Sequence, residues 1–328
     1  MENTINQITS LPYEILVMIL REFVNQINAR NDSSRRWSDT EKLQKKPSMR
    51  DLINLRLVRL SNRFIKVSQP ILKSLKSLKL SVHRRPDFEY SNLTSITRFL
   101  HNLPQLESLT LFSVLFDSSV IIGFGSQESK PIGLTNLQHF SFVLFETNYE
   151  LISQFTKSSK NTLKTIRLLS CSSSDEAIEK VLSPIKDTLE GIFTSSFTDE
   201  IIGNVIQWSF PNLRVIGTHH HPRWICEKLH WLQVEMLRYV RTIVIDLDGG
   251  EEYWSESFSV MEPDVLKNVP NLKLIVFCDR YEESEVQFID PDLVESFREH
   301  GIQCHLIDKL VPDEIMELDY KLNGPMLK

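Results

Sequence analysis

The sequence has no long apolar segment, and its cysteines are few and widely separated. No apolar run approaches the roughly 18 residues that a membrane-spanning helix needs, and the first residues lack the basic start and apolar centre of a secretory signal. The four cysteines, Cys171, Cys226, Cys278 and Cys304, have neither zinc nor redox spacing, so we expect reduced thiols. These absences predict a protein of the cytoplasm, the nucleus or both, with no membrane partner.

Motifs for catalysis and for metal or phosphate binding are also incomplete. Residues 123–126 lack the lysine of a phosphate loop, and no serine lies in a Gly-any-Ser-any-Gly motif. Residues 219–221 are three adjacent histidines, of which neighbours point to opposite sides after a strand, and residues 246–256 lack calcium-loop spacing. We therefore predict no catalytic residue, metal or cofactor. A hidden enzyme stays an alternative, and it would require a deep polar pocket with convergent titratable groups.

Charge is unevenly distributed along the 328 residues, although the net charge is only −6. Residues 30–85 contain 16 Lys and Arg against 4 Asp and Glu, a net charge of +12. Residues 246–328 contain 7 against 20, a net charge of −13. The two ends are therefore expected to favour partners of opposite sign, with an acidic partner for the first and a basic target for the second. No nucleic-acid motif accompanies the basic segment, so we predict no nucleic-acid partner.

The amino-terminal part has the pattern of a small helical unit. Pro12 and Glu14 are typical of a helix start, and residues 15–20 are six consecutive apolar residues that would need cover on a second face. Residues 25–50 are polar and predict a loop, whereas residues 51–75 return to helical spacing. The expected first domain is all-helical and spans residues 8–75, with the loop 25–50 inserted.

The rest of the chain contains a repeated pattern of apolar, two any, apolar, one any, apolar. Its intervals are 31, 31, 26, 26, 24, 27 and 32 residues, and its copies begin at Leu75, Leu106, Leu137, Leu163, Leu189, Leu213, Val240 and Leu272. This spacing predicts an irregular α/β leucine-rich-repeat-like solenoid over residues 76–310, followed by a tail at 311–328. The repeats lack the asparagine-ladder position of regular copies, and a non-repetitive α/β domain stays an alternative.

The two halves together resemble an F-box protein with leucine-rich repeats, of the fungal type. The resemblance lies in "LPYEIL" at residues 11–16 and "LVRLSNRFIKVSQPILKSL" at residues 57–75. It implies a non-catalytic substrate receptor of a cullin-RING ubiquitin ligase, or alternatively an adaptor-bound interaction module without a cullin. The closing register is open between Val58 and Leu60, and Leu60 keeps the family's step to the aromatic. The implied contacts with a Skp-type adaptor are Leu11, Pro12, Ile15, Leu16, Ile19, Leu60 and Phe64.

The residues between the repeated aliphatics are expected to line a concave sheet face that binds a target protein. Five of the eight candidates are apolar, which is typical of a partner site. These candidates are Thr110, Phe112, Ser141, Val143, Arg167, Leu169, Val244 and Val276. The alternative is that the carboxyl-terminal tail or loops cover this face.

Overall fold

One all-parallel sheet of ten strands organises the described chain, and its strands lie in sequence order from β1 to β10. The computed structural model describes residues 53–56, 75–81, 100–101, 103–112, 134–146, 148–196, 203–220, 230–247, 250–260, 266, 269–279, 288–307 and 312–325. The strands are β1 Ile53–Arg56, β2 Ser77–Ser81, β3 Ser108–Phe112, β4 His139–Phe145, β5 Thr165–Ser172, β6 Gly191–Ser196, β7 Val215–His220, β8 Thr242–Asp246, β9 Leu274–Cys278 and β10 Gln303–Ile307.

The sheet has two faces, because successive side chains of a strand point to opposite sides. In β4, Phe140, Phe142 and Leu144 point to one face and belong to the larger apolar core. His139 and Ser141 alternate with them and point to the opposite face. We call the first the outer face and the second the inner face. Strands β8 and β9 are buried along their whole length, as expected for parallel strands covered on both faces.

Helices follow several strands and pack on the outer face. They are α1 Tyr149–Ser158, α2 Asp175–Leu182, α3 Gly250–Val260 and α4 Pro291–Glu299. Ser174 caps α2 by accepting a hydrogen bond from the Ala177 amide, and two acidic residues in the first turn suit the helix dipole. In α1, the Phe155 ring packs edge-on against Phe140, with ring centroids 5.7 Å apart. The last helix, α5 Pro312–Asn323, lies instead on the inner face.

The turns before the strands form a continuous hydrogen-bond ladder. The Lys76 carbonyl oxygen accepts from the amides of Glu107 and Ser108, at 2.7 and 2.9 Å. The Glu107 carbonyl does the same for the next turn, and the pattern continues along the sheet. Asparagine side chains add a second link, because Asn136 donates to Pro104 O at 2.7 Å and Asn271 to Arg238 O at 2.8 Å. The sequence analysis missed this asparagine role, although "TNL" and "PNL" precede these strands.

The all-helical first domain is wrong where the structure describes it. Ile53–Arg56 is a strand, and it pairs in parallel with β2, with Ile53 opposite Leu78. Strands β2 to β9 each begin two residues after the first position of a repeated motif. The fold class of a helical domain followed by a leucine-rich-repeat solenoid is therefore corrected to one all-parallel α/β sheet that already includes residues 53–56. The predicted domain boundaries stay predictions.

Candidate functional site

Helix α5 covers one half of the inner face and buries a second apolar cluster there. Met316 lies over Gly191, where an added Cβ would come within 2.7 Å of the Met316 Sδ. The Phe193 ring lies over Gly217 and would overlap a Cβ at that position. Both glycines thus allow a close approach that a side chain would prevent. The buried cluster contains Phe193, Val215, Val244, Leu274, Val276, Cys278, Ile315 and Met316. We call the inner face of β6–β9 the covered half.

A buried charge network fixes α5 to this half. Asp319 is 0% exposed and accepts hydrogen bonds from Arg241 Nε at 3.0 Å and from Thr242 Oγ1 at 2.7 Å. Arg214 Nη1 also donates to Asp319 Oδ2, and Asn323 Nδ2 donates to Oδ1 at 3.1 Å. A buried carboxylate needs such partners, because an unpaired buried charge is strongly destabilising.

The same network balances the remaining charge and ends the helix. Arg214 also contacts Glu190 Oε2, at 3.1 and 3.2 Å, so two carboxylates face two guanidinium groups. Arg241 Nη2 donates to the carbonyl of Gly324 at 2.6 Å, and Gly324 takes a positive φ of 70° where α5 stops. Burial alone would raise the pKa of Asp319, but the hydrogen bonds from Arg241 and Thr242 and the charge of Arg214 hold it below its usual value.

Beyond the start of α5, the inner face of β2–β5 combines polar side chains with the apolar Val143 and Leu169, and we call it the open half. His139 lies at the border, with its Nδ1 3.2 Å from Asp313 Oδ1 and 2.6 Å from Thr165 Oγ1. One residue from each of the four strands forms a row in direct register. The row is Lys79, Thr110, Ser141 and Arg167, and we call it the basic row. Lys79 is exposed and the other three are half-buried.

The structure separates the target-face candidates that were named from the sequence. Val244 and Val276 are 0% exposed in the cluster with α5, so a partner cannot reach them while α5 is in place. The alternative that the carboxyl-terminal residues cover the face thus describes this half. Val143 is buried, whereas Arg167 and Leu169 are half-buried in the open half. Leu169 lies at a register shift, since Phe142 pairs with Leu168 and Val143 with Ser170. Phe112 ends β3.

The predicted adaptor contacts lie outside the described residues. These are Leu11, Pro12, Ile15, Leu16, Ile19, Leu60 and Phe64. Adaptor binding through them is therefore not tested by the structure.

Metal and thiol chemistry is sparse in the part of the chain that the structure describes. No cluster of three or more His, Cys, Asp or Glu residues there is arranged to hold a metal ion. Neither Cys278 nor Cys304 forms a disulfide, and burial raises the pKa of Cys304 to about 12. No helix among the described residues is long and apolar enough to span a bilayer.

A second surface feature is a shallow groove at the amino ends of β4–β7, of about 480 Å³. Its lining is polar and includes Asn136, Gln138, Lys164, Asp187, Glu190 and Asn212. Several of these groups already have partners, since Asn212 donates to Asp187 O and Glu190 binds Arg214. The groove is thus formed by the turn ladder, and its polar groups serve the fold.

Comparison with known proteins gives little similarity. No family model and no curated protein matches the chain. A solved structure of a sugar phosphate isomerase/epimerase from Parabacteroides distasonis aligns with 84% of this chain and 92% of that chain. Its identity is 13% and its TM-score is 0.23, so no activity is transferred from it.

These findings correct the sequence-based identification. No family model matches the chain, and β1 occupies residues that the F-box interpretation made helical. The assignment as an F-box protein with leucine-rich repeats is therefore wrong. The functions derived from it, a ubiquitin-ligase substrate receptor or an adaptor-bound module, are withdrawn. The prediction of a non-catalytic receptor subunit is withdrawn together with that assignment.

Proposed function

We propose that the open half of the inner face binds an acidic segment of a partner protein. The observation that carries this proposal is the basic row, in which Lys79 and Arg167 flank two hydroxyl side chains on four adjacent strands. The row contains two cations and no acid, and Lys79 is the exposed cation, since Arg167 already has an interaction within the chain. Within the described part of the chain, the hydroxyls of Thr110 and Ser141 have no side-chain hydrogen-bond partner. They are therefore available to donate to an anionic ligand.

The position of α5 supports the same proposal. Asp313 in its first turn contacts His139 of β4 at the border of the open half. A bound segment would therefore lie beside a fixed helix. Charge complementarity at such a surface chiefly raises the association rate and fixes the register of the partner. The basic target that the acidic carboxyl-terminal third suggested stays a prediction, and the open half favours a partner of the opposite charge.

The test compares two charge-reversed variants of the full chain. One carries Lys79→Glu with Arg167→Glu, and the other carries Lys157→Glu with Lys160→Glu. Lys157 and Lys160 are exposed at the end of α1 and just beyond it, so the second variant has the same net charge and an intact basic row. Fluorescein-labelled poly-L-glutamate is titrated with each protein at about 0.15 M salt, where distant charges are screened.

The difference between the variants is the readout, because residues 30–85 are themselves basic and attract any polyanion. We expect the basic-row variant to bind at least about fivefold more weakly than the control, since it loses two favourable contacts and gains two repulsive ones. Both variants must keep the circular-dichroism spectrum of the original protein. Equal affinity of the two folded variants would overturn the proposal.

A further inference from the structure

Strand β10 is the last strand of the sheet, and within the described residues it pairs only with β9. The Gln303 amide donates to Lys273 O at 2.9 Å, so Gln303 and every second residue after it bond to β9. The amides and carbonyls of Cys304 and Leu306 therefore point away from β9. They form a free edge with which a further strand can pair.

Both apolar clusters of the sheet reach β10 and are incompletely covered there. On the outer face, Cys304 and Leu306 pack against the larger core, and on the inner face Ile307 packs against the cluster beneath α5. All three side chains stay half-buried, whereas β9 is buried along its whole length. Strand β9 has a neighbouring strand on each side. One more strand, apolar on both faces, would give β10 the same cover.

The edge strand itself contains none of the residues that commonly block strand pairing. Residues 303–307 include no proline, lysine or acid, and they pair with β9 in direct register without a bulge. An edge of this kind is a template for the addition of an extended peptide segment. Main-chain hydrogen bonds then supply affinity, and the side chains on the two faces of the added strand supply specificity.

Charge distinguishes a second copy of this chain from a different partner. Residues 246–328 contain 20 Asp and Glu against 7 Lys and Arg, a net charge of −13. Helix α4, which leads into β10, has exposed acids at Asp292, Glu295 and Glu299, and its Arg298 is paired with Glu295. Two copies joined through β10 would bring two such surfaces together. A basic segment is attracted to the same surface.

We infer that the free edge of β10 binds an extended basic segment of a partner protein, which adds to the sheet as a further strand. The central residues of this segment are apolar, so that they cover Cys304 and Leu306 on one face and Ile307 on the other. Lysines or arginines flank them. The inference assigns the basic target expected from the sequence to one edge of the sheet. It does not rest on the basic row or on the proposed function.

The experiment uses the full chain and fluorescein-labelled peptides of five alternating valines and isoleucines with two lysines at each end. Two N-methylated versions have the same composition. One is methylated on alternate residues, which leaves one peptide edge free, and the other on adjacent residues, which blocks both edges. A fourth peptide replaces the lysines by glutamates. Dissociation constants are measured by fluorescence anisotropy at about 0.15 M salt.

Two variants of the full chain locate the site. Leu306→Lys places a charged side chain on the edge strand, a change that disfavours strand pairing. Ser255→Lys is the matched control, because Ser255 is exposed on α3 and belongs to the same acidic part of the chain. Both variants must keep the circular-dichroism spectrum of the original protein.

We expect the lysine-flanked peptide to bind Leu306→Lys at least about fivefold more weakly than Ser255→Lys. The peptide methylated on adjacent residues should bind the original chain at least about fivefold more weakly than the one methylated on alternate residues, because it loses main-chain hydrogen bonds at either edge. Equal binding of these two peptides would overturn strand addition, and this comparison does not depend on whether Leu306→Lys folds.

Three other results would also overturn the inference. The first is the absence of binding by the folded chain. The second is equal binding of the glutamate-flanked peptide, which would exclude a basic partner. The third is a dimer in analytical ultracentrifugation that Leu306→Lys dissociates and Ser255→Lys does not, which would show that a second copy occupies the edge.

Discussion

The two halves of the inner face have the same strand geometry and opposite chemistry. In the covered half, the register row that includes Val244 and Val276 is apolar and lies beneath α5. In the open half, the same row continues as Arg167, Ser141 and Thr110. The outer-face residues are aliphatic or aromatic in both halves, except for residues such as Thr194 and Thr218, which are buried on β6 and β7. The comparison shows that outer-face residues form the sheet, whereas inner-face residues decide whether a strand is covered or stays accessible.

The largest effect should come from removing the charge that fixes α5. Asp319→Ala leaves Arg241 buried without a carboxylate and Arg214 with Glu190 alone, so we expect a loss of about 3–5 kcal/mol in the free energy of unfolding. Urea denaturation of the full chain measures this loss. Asp313→Ala is the matched control on the same helix, because its pair with His139 is largely exposed and should be worth less than about 1 kcal/mol. Similar losses for the two variants would contradict the buried network.

A smaller effect is expected from filling the close approach between Phe193 and Gly217. Gly217→Ala places a Cβ against the Phe193 ring, and overpacking of this kind costs about 1–3 kcal/mol. Gly191→Ala should cost less, since its nearest contact is the flexible end of Met316. Differential scanning calorimetry of both variants shows which of the two loses more stability. Adding Phe193→Leu should recover most of the Gly217→Ala loss, and purely additive losses would refute this contact.

Low pH should lower the free energy of unfolding, because it protonates the buried Asp319 of α5. Its pKa is lowered by folding, so its contribution is complete above the unfolded value of about 3.8 and is lost as the pH falls through the lower folded value. The unfolding free energy should then drop by at most about 1.4 kcal/mol per pH unit for this group. Urea titrations below pH 4 measure the slope. Asp319→Asn should reduce this slope, and an unchanged slope would exclude Asp319 as its source.

The smallest effect should be found in the open half. Ser141→Val changes a half-buried hydroxyl without a side-chain partner in the described chain, so the unfolding free energy should change by less than about 0.5 kcal/mol. The matched change in the covered half, Val244→Ser, buries an extra hydroxyl under α5 and should cost about 1–3 kcal/mol. Equal effects in thermal unfolding would mean that the two halves do not differ in cover.

The positions of strands β2–β9 were readable from the sequence because each begins two residues after a repeated apolar position, and those side chains build one core. Strand β1 could not be predicted from the sequence, because Leu52, Leu55 and Val58 have helical spacing. Only pairing with β2 makes residues 53–56 extended. Two alternatives for the inner face were named from the sequence, namely that it binds a target protein or that the carboxyl-terminal tail or loops cover it. Helix α5 covers part of it.

The buried network was missed for a different reason. Asp319 is one of 20 acids in residues 246–328, and nothing in its neighbourhood distinguishes it. The one signal lay in the partners of Asp319. Arg214 and Arg241 directly precede apolar strands that leave no water for a guanidinium group. Three members of the basic row, Thr110, Ser141 and Arg167, were among the face candidates named from the sequence, whereas Lys79 was not, and their common row became visible only through strand register.

The ladder of turn carbonyls has a consequence for how the molecule opens. Each turn is bonded to its immediate predecessor, so an interior strand can be released only by breaking links on both of its sides. Opening should therefore begin at β1 or β10 and proceed inward strand by strand. Helix α5 interrupts that progression, because it joins β4 through His139 to β8 through Arg241 and Thr242. Strands β4–β8 thus form a single cooperative unit, and the first three strands can loosen without disturbing it.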